Sequence, residues 1–82
     1  MEINRVIWAS RRGMLELDLI LQPFVEKVYP SLDLKDQELY HQLLEEQDAD
    51  LFNWFLNRQN PENPNLQRIV QIIRDHAQSK NS

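Results

Sequence analysis

The sequence predicts an all-α protein, folded as a compact bundle of five short helices that run mostly antiparallel. The chain has one glycine and no threonine, and it is rich in leucine, glutamate and glutamine, a composition that favours helix over strand. No stretch alternates apolar and polar residues for long enough to form a sheet. Loops of only a few residues separate the helical segments, which is typical of a bundle.

The 82 residues are expected to form a single helical domain, residues 1–82, with an ordered core over about residues 3–77 and a frayed C-terminal tail. The hydrophobic fraction of 41% and the charged fraction of 27% are typical of an ordinary globular protein. A chain of this length buries only about 60% of the surface that its unfolded form exposes, so the core is expected to be small and continuous.

The first helix is predicted over residues 3–12. Its apolar face consists of Ile3, Val6 and Ile7. Trp8 lies at the edge of this face or beyond it. Gly13 is expected to end the helix as a left-handed cap, with Arg11 and Arg12 in the last turn, where the negative end of the helix dipole favours cations.

The second helix is predicted to begin near Met14 and to close at Tyr29 and Pro30. Its main apolar face consists of Met14, Leu17, Leu21, Phe24, Val25 and Val28. Further apolar residues lie outside this arc, namely Leu15, Leu19 and Ile20. The helix is therefore expected to be central, with Leu15 and Leu17 as packing residues, and Pro23 is expected to bend or split it.

The third helix is predicted to start at Asp33 as N-cap, with Asp36 placed like the acid of a capping box. Its apolar face consists of Leu39, Tyr40, Leu43 and Leu44. Its other side carries Glu38, His41, Gln42, Glu45 and Glu46.

The fourth helix is predicted to be capped by Asp48. Its buried stripe is expected to be Leu51, Phe52, Phe55 and Leu56. Trp54 faces away from the centre of that stripe.

The fifth helix is predicted to follow the loop NRQNPENPN, with Asn63 as N-cap and Pro64 as first helical residue. One side of it carries Leu66, Ile69, Val70, Ile73 and Ala77. The helix is expected to fray into the terminal QSKNS.

Composition argues against several functional classes. The absence of cysteine excludes disulfides, thiolate metal sites and a cysteine nucleophile. With one glycine, the chain has neither a P-loop nor a dinucleotide-binding fingerprint, and none of its serines lies in a nucleophile elbow. The net charge is −4 and basic residues cluster only at Arg11 and Arg12, so nucleic acid is not an expected partner. The sequence shows no signal-peptide core and no apolar run long enough for membrane insertion, so a cytoplasmic location is expected.

The chain has two histidines, and each is a candidate site residue. Glu38, His41 and Glu45 share a helix face that is similar to the ligand pattern of di-iron bundles, but such ligands point into a core and this face is the polar one. A solvated face without a metal is the expectation. His76 lies near the end of the last helix, where the dipole favours a cation, and needs no function.

The stretch RRGMLELD, residues 11–18, has two interpretations. The first is a helix junction, with basic residues ending one helix and acidic residues beginning the next. The second is a site, because Asp18 lies at the edge of an apolar stripe and half-buried charges need partners. In this view Arg11 or Arg12 pairs with Glu16 or Asp18 across the turn, or one arginine stays available to a partner protein.

A resemblance favours the second interpretation. WASRRGMLELD at residues 8–18, the pair Pro23–Phe24, and DADLFNW at residues 48–54 resemble the succinate dehydrogenase flavinylation factor family of bacterial type. These are small all-helical assembly factors of bacteria and mitochondria. The resemblance runs over about residues 3–75.

The resemblance implies an assembly chaperone and not an enzyme. Family members promote covalent attachment of FAD to a histidine of the flavoprotein subunit of succinate dehydrogenase and, in bacteria, of fumarate reductase. That flavoprotein subunit is the implied partner, and FAD is the group attached to it, so no cofactor is expected to bind this chain stably. The chain is expected to be a monomer.

The family's Arg-Gly-x-x-Glu signature falls on Arg12, Gly13 and Glu16, and the resemblance implies that this surface binds the flavoprotein. The flanking candidates for partner binding are Met14, Arg11, Trp8 and Asp18. The second family string supplies Phe52, Asn53 and Trp54, of which Phe52 is expected to pack in the core.

In the mechanism that this suggests, the chaperone holds the flavoprotein in the arrangement that favours attachment. Gly13 lets the backbone approach the partner closely, and Arg12 makes a charge-assisted contact. Glu16 either orients Arg12 or contacts the partner directly.

Two other functions fit the sequence. One is an antitoxin-like interaction protein that counters a small membrane-associated toxin. The other is an enzyme or carrier that binds FAD itself, which the missing phosphate loop and the small core disfavour.

Overall fold

The computed structural model describes residues 3–79 and contains five α-helices and no strand within that range. The helices are α1 (Ile3–Ser10), α2 (Leu15–Lys27), α3 (Leu34–Leu43), α4 (Asp48–Phe55) and α5 (Pro64–Ser79), with a 3-10 turn at Tyr29–Ser31. The predicted all-α class is confirmed, and the antiparallel arrangement stays a prediction.

Helix α2 is central, as predicted, because it packs against α1, α4, α5 and the 3-10 turn, while α3 packs against α5. Its inner face is fully buried and consists of Leu17, Leu21, Phe24 and Val25. Aromatic side chains form the middle of the core, where the ring centroids of Phe24 and Tyr40 are 5.6 Å apart and those of Tyr29 and Tyr40 are 5.5 Å apart. None of the described helices has the length and apolar character needed to cross a membrane.

Helix α1 is shorter than predicted. It ends at Ser10, so Arg11 and Arg12 lie beyond its last turn, and Gly13 does not adopt the predicted left-handed conformation. The Ser10 hydroxyl donates to the carbonyl of Val6 at 2.7 Å, a local bond of the kind that competes with helix continuation. Of the predicted face, Val6 is buried and Ile7 packs against the core, while the side chain of Ile3 lies outside the described part of the chain.

Helix α2 begins one residue after Met14 and continues through Pro23 without splitting. Both halves carry buried side chains, Leu17 and Leu21 before the proline and Phe24 and Val25 after it, and their packing outweighs one lost hydrogen bond. The packing role predicted for Leu15 is wrong, because this side chain is 65% exposed.

Helix α3 has Asp33 at the N-cap position, but the Asp33 side chain makes no capping bond. Asp36 is buried and is not a capping-box acid. Its carboxylate accepts two hydrogen bonds from Arg68 of α5, from Nε at 2.8 Å and from Nη2 at 3.1 Å. The predicted core residues Leu39, Tyr40 and Leu43 are buried.

Helix α4 differs from the prediction at its start and in its buried face. Gln47 occupies the N-cap position, and Asp48 is the first helical residue. Trp54 is buried, Phe52 is half-buried, and Leu56 lies past the helix end with 43% of its surface exposed. Burying the largest apolar side chain removes the most surface from water, so the helix turns toward Trp54.

Helix α5 starts as predicted, with Pro64 in the first position and the Asn65 amide donating to Oδ1 of Asn63 at 2.9 Å. Its predicted apolar residues Leu66, Ile69, Val70 and Ile73 are buried, and Ala77 is half-buried. The helix continues to Ser79 and so includes the first two residues of the segment predicted to fray, QSKNS, whose other residues, 80–82, lie outside the described part.

Candidate functional site

The segment between α1 and α2, residues 11–14, is anchored from the interior at Ser10. The Ser10 side chain is fully buried, and its Oγ lies 2.5 Å from the hydroxyl of Tyr40. Because Ser10 donates its own proton to Val6, Tyr40 is the donor in this second bond. Burial raises the pKa of Tyr40 far above its ordinary value, so the hydroxyl keeps the proton that this bond requires.

Arg12 connects this segment to the loop between α3 and α4. Its Nε donates to Oδ1 of Asp48, Nη1 to the carbonyl of Leu44, and Nη2 to the carbonyl of Glu46, each at 2.6 Å. The side chain of Arg12 is only 17% exposed. The guanidinium is thus directed inward, and three of its five N–H donors are occupied within the chain.

Asp18 holds the same residue from the other side. Its Oδ1 accepts a hydrogen bond from the backbone N–H of Arg12 at 2.9 Å, and the Asp18 side chain is half-buried. Asp18 thus has the partner that the sequence predicted it to need, and this partner is the backbone amide of Arg12. The predicted ion pairs of the arginines with Glu16 or Asp18 are absent from residues 3–79, where Arg12 pairs with Asp48.

The outer side of the junction is open to solvent. Trp8 is 70% exposed, and the guanidinium carbon of Arg11 lies 5.5 Å from the centre of its ring, a cation–π arrangement. Gly13 and Glu16 are exposed as well. The carboxylate of Glu16 has no hydrogen bond or ion pair with the rest of residues 3–79, so it is available to a partner.

The fold does not require a glycine at position 13. A Cβ added there meets no atom within 4 Å, and the backbone does not adopt a positive φ. The unbound chain therefore has room for a Cβ at this position. If a glycine is needed, the reason lies outside the described fold.

The sequence of residues 4–77 matches the family described as the flavinator of succinate dehydrogenase. The chain belongs to this family. It is 54% identical over 79 residues to the FAD assembly factor SdhE of Pseudomonas putida, and the aligned region covers 96% of this chain and 94% of the relative. The corresponding protein of Shewanella oneidensis is 48% identical over 77 residues, 94% of each chain. The solution structure of a UPF0350 protein, 43% identical, superposes with a TM-score of 0.76 over 94% of this chain and 82% of that one.

In this member of the flavinator family, the structure divides the predicted partner-binding residues into two groups. Trp8, Arg11, Gly13 and Glu16 are exposed, whereas Arg12, Met14 and Asp18 are half-buried. Met14 packs against the core. The second group therefore shapes the surface that the first group presents.

Sequence reasoning missed three residues of this region. Asp48 holds the guanidinium of Arg12, although the two residues are 36 positions apart. Leu15 and Leu19, one turn apart on α2, are 65% and 66% exposed and extend the outer surface away from Gly13. The available signal was that a half-buried arginine needs an acid, and the second family string contains two acids, Asp48 and Asp50.

The second family string lies mainly in the core, with Phe52 half-buried and Trp54 buried. Trp54 also lines an open groove of about 700 Å³ between α4 and the loop before α5. Three acidic residues, Glu46, Asp50 and Glu62, line this groove. Its negative charge disfavours anionic ligands.

The face considered for di-iron ligands contains no metal-type cluster within residues 3–79. Glu38 and Glu45 are exposed as predicted, but His41 is half-buried, with its Nε2 2.7 Å from the hydroxyl of Tyr29. His76 packs edge-on against Phe24 at a centroid distance of 5.9 Å. Both histidines therefore make contacts within the fold that explain their presence without a metal.

Proposed function

We propose that this protein is an assembly chaperone that promotes covalent attachment of FAD to the flavoprotein subunit of succinate dehydrogenase, and of fumarate reductase where that enzyme is present. Family membership supports the proposal, since relatives with about half of their residues identical are named FAD assembly factors. The protein acts by binding the flavoprotein and is not itself a turnover enzyme.

The flavoprotein binds to the outer side of the α1–α2 junction, which we call the docking face and define as Trp8, Arg11, Gly13, Leu15, Glu16 and Leu19. The observation that carries this assignment is Gly13. The only glycine of the chain stands at an exposed position where the fold has room for a side chain. A closely approaching partner backbone is the physical reason for keeping that space empty.

The other residues of the docking face suit a protein partner. Trp8, Leu15 and Leu19 expose large apolar surfaces of the kind that binding removes from water. Arg11 and Glu16 supply one charge of each sign, which favours one orientation of the partner. Aromatic and arginine side chains are the types that contribute most often to binding energy at protein interfaces.

The chemistry of attachment belongs to the flavoprotein and its FAD. The chaperone contributes by holding the flavoprotein so that its histidine and the flavin remain in a reactive arrangement, since positioning alone accelerates such steps strongly. This chain does not hold FAD. Its groove near Trp54 is lined by three acidic residues, which would repel the pyrophosphate. Titration with FAD is expected to leave flavin fluorescence unchanged.

The test is complementation of a bacterial strain that lacks its own family member, with covalently bound flavin measured by fluorescence of the denatured flavoprotein subunit. The native chain restores the signal. Gly13→Leu is expected to fold with an unchanged Tm and to fail, because the added side chain blocks close approach. The matched control is Lys35→Leu, at another exposed position, in the first turn of α3.

Two outcomes contradict the proposal in different ways. If the native chain leaves covalent flavin unchanged, the flavinylation function is wrong. If Gly13→Leu restores the signal as well as Lys35→Leu does, the docking face lies elsewhere. A pull-down that captures only a small membrane protein, and no flavoprotein, would favour the antitoxin alternative.

A further inference from the structure

We infer that Arg12 acts in docking as a positioning residue anchored by Asp48, and that its guanidinium does not contact the flavoprotein. This inference rests on the proposed function and concerns the same face. It assigns a role to Asp48, which lies outside the signature, and it gives Arg12 a role different from the direct contact expected from sequence.

The first argument is the direction of the guanidinium. All three of its nitrogens donate to atoms of residues 44–48 at 2.6 Å, and only 17% of the side chain is exposed. Turning the guanidinium toward a partner would break these bonds and leave two carbonyl groups without their donor, at a cost for each. Arg11, one position earlier, is exposed and can meet a partner without such a cost.

The second argument is the nature of the anchor. Leu44 is the residue at the end of α3, where its carbonyl lies at the negative end of the helix dipole, and Glu46 lies in the loop that follows. Asp48 begins α4 and supplies the carboxylate. The guanidinium therefore matches a prearranged set of two carbonyls and one acid, which its fixed planar fork can bind and a lysine cannot.

The third argument is the position of Arg12 in the junction. Its side chain is fixed to the α3–α4 loop, and its backbone N–H is fixed to Asp18 of α2. The next residue in the chain is Gly13. The two attachments therefore set the path of the backbone that enters Gly13, and with it the shape of the docking face. They also place the two family strings, RRGMLELD and DADLFNW, in direct contact.

The chain supplies its own probe for this effect. Because Gly13 is the only glycine, labelling with ¹⁵N-glycine produces one backbone amide resonance, which reports on the docking face alone. The resonance is recorded in the unbound protein, and affinity for the purified flavoprotein subunit lacking FAD is measured on the same samples, at a temperature where each variant remains folded.

The decisive variants are Asp48→Ala and Arg12→Lys. If Arg12 is a positioning residue, Asp48→Ala shifts or broadens the Gly13 resonance and weakens binding roughly ten-fold. This loss of affinity corresponds to about 1.4 kcal/mol of binding free energy. Arg12→Lys weakens binding as much as Arg12→Ala does, because lysine cannot reach the three acceptors together. The double variant Arg12→Ala/Asp48→Ala binds no more weakly than Arg12→Ala, since both changes remove one interaction.

Asp48→Asn provides the rescue that separates geometry from folding stability. The amide keeps an Oδ1 acceptor for Arg12, so the Gly13 resonance and the affinity are expected to lie near those of the native chain. The matched control is Arg68→Ala, which breaks the other described ion pair at the first turn of α3, about 12 Å along that helix from Leu44. It leaves both readouts unchanged.

The inference is overturned if Asp48→Ala binds as tightly as the native chain, or if Arg12→Lys retains the affinity that Arg12→Ala loses. The first result means that docking does not need the Asp48 anchor, and the second means that the charge of Arg12 meets the partner directly. Either result is compatible with the proposed function, which fails if the native chain does not bind the flavoprotein or leaves its covalent flavin unchanged.

Discussion

The two ion pairs described within residues 3–79 differ in which partner is more buried: the arginine in one pair and the carboxylate in the other. In the pair of Arg12 and Asp48, the arginine side chain is 17% exposed and the carboxylate 35%. In the pair of Arg68 and Asp36, the arginine is 61% exposed and the carboxylate 9%. Each pair links segments more than 30 positions apart in the chain, with 36 positions separating the first pair and 32 the second.

The difference determines what each pair can do. A buried carboxylate with an exposed arginine needs one partner, and the pair fastens α3 to α5. A buried guanidinium has many donors to satisfy, so Arg12 gathers backbone carbonyls as well as an acid and fixes a whole loop. Only this second arrangement shapes the backbone beside the proposed docking face. The comparison therefore predicts that the two arginines differ in their importance for stability.

The largest effect is expected from Arg12→Ala, which removes three short hydrogen bonds and leaves two backbone carbonyls without their donor. The loss of folding free energy is expected to be about 2–3 kcal/mol. For a domain of this size, that corresponds to a fall in Tm of roughly 10 °C or more. Thermal unfolding followed by circular dichroism measures it. A Tm within the scatter of the native protein would show that the three bonds contribute nothing to stability.

A smaller effect, dependent on pH, is expected from Asp36→Asn. Hydrogen bonding to Arg68 lowers the pKa of the Asp36 carboxyl below its ordinary value. Because folding lowers this pKa, the stabilisation is complete above the pKa of an unfolded aspartate, about 3.9, and is lost as the pH falls through the lower folded value. The Tm of Asp36→Asn should therefore be below that of the native chain at neutral pH, and the gap should narrow below about pH 4. A gap that is constant from pH 7 to pH 2 would contradict the charged pair.

The features predicted correctly from the sequence are those that residues close together in the chain determine. The helical segments follow from apolar spacing, and the start of α5 follows from Asn63 and Pro64, because a cap and a fixed φ act within one turn. The partner of Asp36 was missed because a capping-box position is a local signal and Arg68 lies 32 residues away. Trp54 was misplaced for a similar reason, since the choice between two edges of a short apolar stripe depends on the helices packed against it.

The same distinction applies to the docking face. The resemblance located Arg12, Gly13 and Glu16 and assigned all three to the surface that binds the flavoprotein. Only the fold separates them, because the direction of the Arg12 side chain depends on Asp48, and the space beside Gly13 depends on where every other residue packs. The spacing of residues in the sequence gives neither the direction of the Arg12 side chain nor the free space beside Gly13.

The smallest effect is expected from Arg68→Ala, and it tests the comparison most sharply. Arg68 is exposed, so its removal leaves no buried donor, and the gain from an exposed arginine is limited by screening and side-chain entropy. Asp36 then loses its partner, but water can replace the arginine at the 9% of the Asp36 side chain that is exposed. The fall in Tm at neutral pH should be clearly smaller than that of Arg12→Ala, and in 1 M salt it should be smaller still, because salt screens exposed charges. If Arg68→Ala destabilises the protein as much as Arg12→Ala, the number of acceptors around each guanidinium does not determine its contribution, and the contrast between the two pairs fails.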